Sequence, residues 1–241
     1  MIKPYNNDTS KKDEVRAMFN SIARNYDFLN HFLSFGIDVL WRKRLIRELK
    51  KYKPSKILDI ATGTADLAIM ASKIKDAEIV GVDLSSGMIE VGKEKVDRKN
   101  LNQKIQLLVG DAESLDLKQN SFDAAMVAFG VRNFEDLDKG LTEIAAVLKD
   151  KSPLFVLEFS KPQLFLFKQL YHFYSFKILP LIGKVISKDS NAYIYLPSSI
   201  NEFHSGKDFI QVMERCGFSD CRMIPLSLRI ATIYIGHKNI G

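Results

Sequence analysis

The chain holds 241 residues, 46% hydrophobic and 27% charged, enough for one globular domain with room for an insertion. A formal charge of +6 and an isoelectric point near 9.1 favour an anionic surface, nucleic acid or membrane, without choosing between them. Cys216 and Cys221 lack metal-ligand spacing and read as buried, reduced thiols, so no metal site is expected. The leading MIKPYNNDTSKK has no apolar run of the secretory kind, and the expected compartment is the cytoplasm.

Residues up to about Asn7 read as frayed. From Lys11, Val15, Met18, Phe19, Ile22 and Tyr26 recur at helical steps. A second helical segment, Asp38 to Lys51, sets Leu40, Trp41, Leu45 and Leu49 on one side and Arg42, Lys43, Arg44, Arg47 and Lys50 on the other. Strand and helix then alternate. Strands are expected at Ile57–Ile60, Glu78–Ser85, Lys104–Gly110, Phe122–Phe129 and Pro153–Phe159, with helices from Asp66, from Ser86 to about Asp97, and around Asp136 to Leu148. Continuous apolar strands separated by amphipathic helices mean a parallel sheet covered on both faces. After Pro162 the alternation stops. Leu164 to Ile186 is crowded with apolar side chains, yet Lys168, His172, Lys177, Lys184, Pro180 and Gly183 interrupt it too often for a membrane span. It reads as helices capping the sheet beside an apolar groove. Ser205, with Asp208 three residues on, marks the start of a helix that stops at Gly217, and strands near Cys221–Ile224 and Arg229–Gly236 finish the domain.

The chemistry centres on ILDIATGTADLAI, Ile57 to Ile69, a strand, a small-residue turn and a helix start. Asp59 ends the strand. A carboxylate there repels a pyrophosphate and attracts an ammonium and a sulfonium, which points away from NAD and towards S-adenosylmethionine (SAM). Of the three small positions in the turn where glycine is expected, only Gly63 is glycine. Asp83 ends the second strand about twenty residues on, placed to accept both ribose hydroxyls. Asp111 ends the third, placed for the adenine amino group with the amide of Ala112 beside it. The fourth strand ends in FGVRNFED: Phe129 can pack on the cofactor, and Arg132 and Asn133 project from the loop. Glu158, ending the fifth strand, lies on the same ligand edge.

These motifs resemble the ubiquinone/menaquinone biosynthesis C-methyltransferases, class I SAM-dependent enzymes, over nearly the whole chain. The likeness rests on VRAMFNSIARNYDFLNHFLSFGIDVLWRK, ILDIATGTADLA, GVDLSSGMIEVGKEK, GDAESL, AFGVRNFEDLDKGL, LEFSKP and AYIYLPSSI. Ala65 departs from it, standing where the family usually has glycine; alanine fits there if its φ is negative. The resemblance implies a single α/β domain with a Rossmann-like seven-stranded sheet whose last strand is antiparallel. Its parts are an N-terminal helical lid (1–53), a SAM-binding core (54–160), an apolar helical cap after the fifth strand (161–204), and a final helix and strands (205–241). It carries Thr64, Asp83, Asp111 and Ala112 over as SAM contacts, with Asp59 and Gly63 shaping the methionine end.

The implied reaction is methyl transfer to a ring carbon of demethylmenaquinol, or of the analogous methoxybenzoquinol; another small lipid acceptor is the alternative. The ring carbon becomes nucleophilic when a neighbouring hydroxyl, of pKa about 10, loses its proton. The enzyme must stabilise the phenolate and align two groups. Arg132 is expected to stabilise the oxygen, with Asn133 and Tyr26 orienting the ring or a water; His31, Glu158 or a water takes the proton. The polyprenyl tail suits a cap rich in Phe165, Phe167, Phe173 and Phe176, and the basic N-terminal face suits peripheral contact with anionic lipid at the inner membrane face. A homodimer is compatible with these features. The AFGVRN ending lacks the Asn/Asp-Pro-Pro-aromatic signature of amino-group methylation, so no nucleic-acid partner is expected. A non-catalytic SAM-binding subunit is disfavoured by Arg132 and Asn133.

Overall fold

The computed structural model describes residues 2–27, 34, 36–161 and 191–240, and the elements named below belong to those residues. His31 and the Leu164–Ile186 stretch, with Phe165, Phe167, Phe173 and Phe176, lie outside them.

Helix α1, Lys11–Ile22, starts where Ser10 accepts the amide of Asp13, with Asp13 and Glu14 placing negative charge in the first turn. The residues ahead of it are not frayed. The buried carboxylate of Glu14 accepts the amides of Tyr5 at 2.6 Å and Asn7 at 2.8 Å and folds that segment back on the helix. Helix α2, Ile37–Leu49, departs from the expected split between its sides. Leu40 is 61% exposed, whereas Arg42 is buried and ion-paired with Asp38 one turn earlier. The Arg42 guanidinium also lies over the Phe129 ring, 5.5 Å from its centroid, so pairing and stacking offset the cost of taking it out of water.

Strands β1 (Lys56–Ile60), β2 (Glu78–Asp83), β3 (Ile105–Val109), β4 (Ala124–Ala128) and β5 (Pro153–Phe159) pair in parallel. Strand β7 (Ala231–Lys238) runs antiparallel to β5 on one side and to β6 (Phe218–Leu226) on the other. The spatial order is β3-β2-β1-β4-β5-β7-β6, the expected seven-stranded sheet with its last strand reversed. The order changes direction between β1 and β4, the place where open α/β sheets leave a crevice at the carboxyl ends of their strands.

Alternate residues of each strand serve opposite faces. Ile57, Ile79, Met126 and Phe155 cluster with α2, α3 (Asp66–Ala71) and α4 (Ser86–Arg98). Leu58, Val80, Val127 and Val156 cluster with α5 (Leu137–Val147) and α7 (Lys207–Arg215). A third cluster joins Val15, Met18 and Ile22 of α1 to Met88 of α4 and Tyr195 of α6 (Asn191–Glu202). Ser85 fixes this arrangement by capping α4 through the Met88 amide and donating its hydroxyl to Asn20 of α1 at 2.6 Å.

The expected Ser205 cap is not formed. Gly206, at φ +74°, precedes α7 and gives its amide to the Tyr234 hydroxyl at 2.7 Å. Helix α7 ends at Arg215, and Gly217, at φ +94°, turns the chain into β6, which begins three residues before the expected strand. Cys216 is buried as expected, but Cys221 is only half-buried because β6 lies on the sheet edge. No helix among the described residues is long and apolar enough to cross a membrane.

Candidate active site

The turn after β1 winds through left-handed backbone at every second residue: Ala61 at φ 51°, Gly63 at 57° and Ala65 at 66°. These are the three positions at which sequence leads one to expect glycine. The condition set for Ala65 fails, since its φ is positive, and a left-handed alanine costs about 1–2 kcal/mol. Its methyl is fully buried, beside Gly92 of α4, where a Cβ would fall 3.4 Å from it. Ala65→Gly relieves the backbone but loses that burial and gains chain entropy, so stability should stay within about 1 kcal/mol. Ala65→Val should lose more than about 2 kcal/mol, from strain and overpacking; urea midpoints check both. The turn meets the loop after β4 closely, because a Cβ on Gly130 falls 2.5 Å from that of Ala61.

Asp83 holds the turn in place. Its carboxylate accepts the amide of Gly63 at 2.8 Å and that of Ser85 at 2.9 Å, and burial raises its pKa. Lone pairs remain on both oxygens for further donors. Asp111 accepts the Glu113 amide at 2.9 Å and the Lys12 ammonium at 2.6 Å. Lys12 also reaches Glu113 at 2.9 Å. Burial alone lowers the Lys12 pKa, but the two carboxylates outweigh it and raise it to about 12.

Asp83, Asp111, Ala112, Gly63, Phe129, Asn133 and Tyr26 all line one cleft at the carboxyl ends of the strands. Lys12 and Phe19 of α1 close one side. Phe129 sits at φ 59°, its ring 4.5 Å from that of Phe159 and 6.2 Å from that of Trp41.

Three expected site residues do not line the cleft. Asp59 is 1% exposed beneath it and accepts the Thr62 hydroxyl at 2.6 Å. Burial, helped by the charge of Asp83, raises its pKa to about 7 despite Arg42. Thr64 is buried and donates to Asp27, in a network where Lys95 bonds Asp27 at 2.6 Å and Thr64 at 3.2 Å. Arg132 is paired with Glu158 at 2.9 Å, the two side chains 6% and 0% exposed, and it also donates to the Phe129 carbonyl and to Ser199 at 3.3 Å. Beside it, Asn133 accepts the Tyr195 hydroxyl at 3.2 Å, and burial pushes that phenol up to about 12. Sequence reasoning missed Lys12, Asp27, Lys95 and Tyr195. Each reads as an ordinary polar or amphipathic helix position until the chain folds.

Asp59 yields a pH signature. With its folded pKa above the unfolded value, it costs stability as pH rises from about 4 to 7, since the unfolded chain ionises first. Asp59→Asn should therefore stabilise the ligand-free protein by a few kcal/mol at pH 8 and hardly at all at pH 4. Equal urea midpoint shifts at both pH values would show that Asp59 is not held protonated.

The model of the ubiE/COQ5 methyltransferase family matches residues 7–238. The chain belongs to that family. It is 46% identical over 238 residues to a demethylmenaquinone methyltransferase of Bacteroides fragilis, covering 98% of this chain and 97% of that one. It is 44% identical over 232 residues to a ubiquinone/menaquinone biosynthesis C-methyltransferase of Geotalea uraniireducens, covering 95% and 98%. Among solved structures, a SAM-dependent methyltransferase of Thermotoga maritima aligns with a TM-score of 0.65 at 19% identity, covering 93% of this chain and 99% of that one. The cyclase SpnF aligns equally well, TM-score 0.65 at 14% identity, over 95% and 97%, so this likeness speaks for the fold and not for the reaction.

The chain is a SAM-dependent methyltransferase, and the cleft suits that cofactor. Asp83 keeps free lone pairs at the strand end, and Asp111 stands one strand away.

Proposed function

We propose that this methyltransferase methylates a ring carbon of demethylmenaquinol, completing menaquinol. The observation that carries this is the 46% identity, over almost the full length of both chains, to a relative named for that substrate. The apolar Phe129–Phe159–Trp41 cluster against the acid-lined cleft suits an aromatic acceptor beside a cationic donor. The equivalent methoxybenzoquinol is the second reading, because the 44% relative is named for both quinones.

Bound SAM supplies the electrophilic methyl group. Asp83 holds the ribose hydroxyls, Asp111 and the Ala112 amide take the adenine edge, and the Gly63 turn with Thr64 and Asp59 shapes the methionine end. Residues 1–53 act as the lid, α1 closing over the cleft through Lys12. Tyr26 and Asn133 orient the acceptor ring from the cleft wall. Arg132 we assign to positioning rather than to the phenolate, because its charge is taken up by Glu158 and its N–H groups hold the Phe129 carbonyl. Glu158, fully buried and paired, is poorly placed to take the acceptor's proton, which leaves a water or His31. An acceptor with a polyprenyl tail keeps the enzyme at a membrane surface, on the cytoplasmic side.

The test is turnover of labelled SAM with short-tailed demethylmenaquinol and, separately, methoxybenzoquinol, with the methylated atom located by mass spectrometry. Label on the naphthoquinol ring carbon supports the proposal. Label on the benzoquinol alone favours the second reading, and label on neither overturns both.

A further inference from the structure

We infer that the outer face of α2, with the Ser227–Arg229 turn beside it, is a docking surface for anionic phospholipid. The inference rests on the lipid-tailed acceptor proposed above and says where the bilayer meets the protein. Ile37, Leu40 and Leu228 are 38%, 61% and 53% exposed, among the few large apolar side chains of the described residues that are. Ile37 and Leu40 stand one turn apart on α2, and the Trp41 indole donates to Ser227 at 2.9 Å, which brings Leu228 alongside.

The turn is strained. Ser227, Leu228 and Arg229 have φ of 43°, 56° and 70°, a conformation that glycine adopts without cost and leucine does not. Leu228 holds that strained backbone with about half of its side chain in solvent, where together with Ile37 and Leu40 it forms an apolar patch open to a partner.

The charge pattern says what that is. From Leu40 the same helical stripe continues through Lys43, Arg47 and Lys50, at steps of three and four residues, and all three are exposed. The two acids of α2 do not offset them. Asp38 and Glu48 are each 3% exposed, the first bound to Arg42 and the second to Arg44 and Lys51. Apolar tips beside a row of cations match a headgroup layer with acyl chains beneath it. A nucleic acid answers the cations but leaves the two leucines without a role. The inner side of the same helix touches the site, since Trp41 and Arg42 both contact the ring of cleft-lining Phe129. The lipid surface and the cleft are thus about one helix diameter apart, roughly 10 Å.

Flotation of the full chain with vesicles, at low and high salt, tests this. The wild type should float with phosphatidylcholine–phosphatidylglycerol vesicles, not with phosphatidylcholine alone, and salt should release it. Lys43→Ala/Arg47→Ala/Lys50→Ala should lower partitioning on the order of a hundredfold, about fivefold per cation. Leu40→Ser and Leu228→Gly should each lower it about tenfold. Leu228→Gly also relieves the backbone, so its melting temperature should rise while binding falls, an outcome that a merely structural leucine does not give. The inference is overturned if the wild type ignores anionic vesicles, if the triple variant floats normally, or if Leu228→Gly melts earlier with binding unchanged, as when this chain itself covers the patch. Binding of RNA that depends on the cations and not on the leucines also overturns it. Methylation of a short-tailed quinol in solution should be the same in all these proteins. Its absence from the wild type counts against the proposed reaction and leaves the flotation result standing.

Discussion

Arg132→Met is expected to destabilise the protein by about 3–5 kcal/mol, the usual consequence of removing one partner from a buried ion pair. Glu158 is 0% exposed, and burial already raises its pKa against the pull of Arg132. Without the guanidinium, the carboxyl must stay protonated in the folded state. The unfolded chain ionises it near 4.5, so stability should fall as pH rises above that value, and the loss should be larger at pH 8 than at pH 5. Arg132→Met/Glu158→Met removes both charges and should recover most of the loss, although the amides of Arg132 and Phe159, at 3.4 and 2.9 Å from Glu158, lose their acceptor. Urea unfolding of the two variants at both pH values decides the matter. A single variant with the wild-type midpoint removes the pair from the architecture of the site. A stable double variant that still methylates shows that the Arg132 charge takes no part in stabilising the acceptor oxygen.

That pair marks the limit of what the chain reveals before it is folded. The strands were legible because a two-sided parallel sheet needs uninterrupted apolar runs, and Leu58, Val80, Val127 and Val156 supply them against one helix layer. Asp83 and Asp111 were legible because acids ending such runs must surface at the same sheet edge. Charge pairing was not legible, because partners are chosen by tertiary contact. Lys12 lies 99 residues from Asp111, and Asp27 lies 68 from Lys95. Arg42 sat in a pattern that described a solvated face, and only the ring of Phe129 and the carboxylate of Asp38 make its burial tolerable. The turn at Ala61 to Ala65 was located correctly, but the sign of φ at Ala65 was left as a condition, which the fold does not meet. Alanine is small enough for either backbone region, so composition alone does not report the sign of φ.

Asp83→Asn should weaken SAM binding about a hundredfold or more without unfolding the protein. Hydrogen bonds to a charged acceptor contribute about 1.5–3 kcal/mol each, and every 1.4 kcal/mol is tenfold, so two bonds from ribose hydroxyls account for that loss. The substitution acts a second time through the turn. The amides of Gly63 and Ser85 bond opposite oxygens, so an asparagine accepts from one of them while its NH2 group confronts the other donor to donor. Losing a half-buried carboxyl whose pKa is raised offsets that lost amide bond, so the melting temperature of the ligand-free protein should change little as affinity falls. Asp111→Asn should cost less, about tenfold. Its side chain is 28% exposed, and Lys12 already holds part of its charge. Calorimetric titration of SAM into both variants ranks them. A larger loss at Asp111 than at Asp83 places the ribose elsewhere in the cleft and reverses the assignment of the two acids.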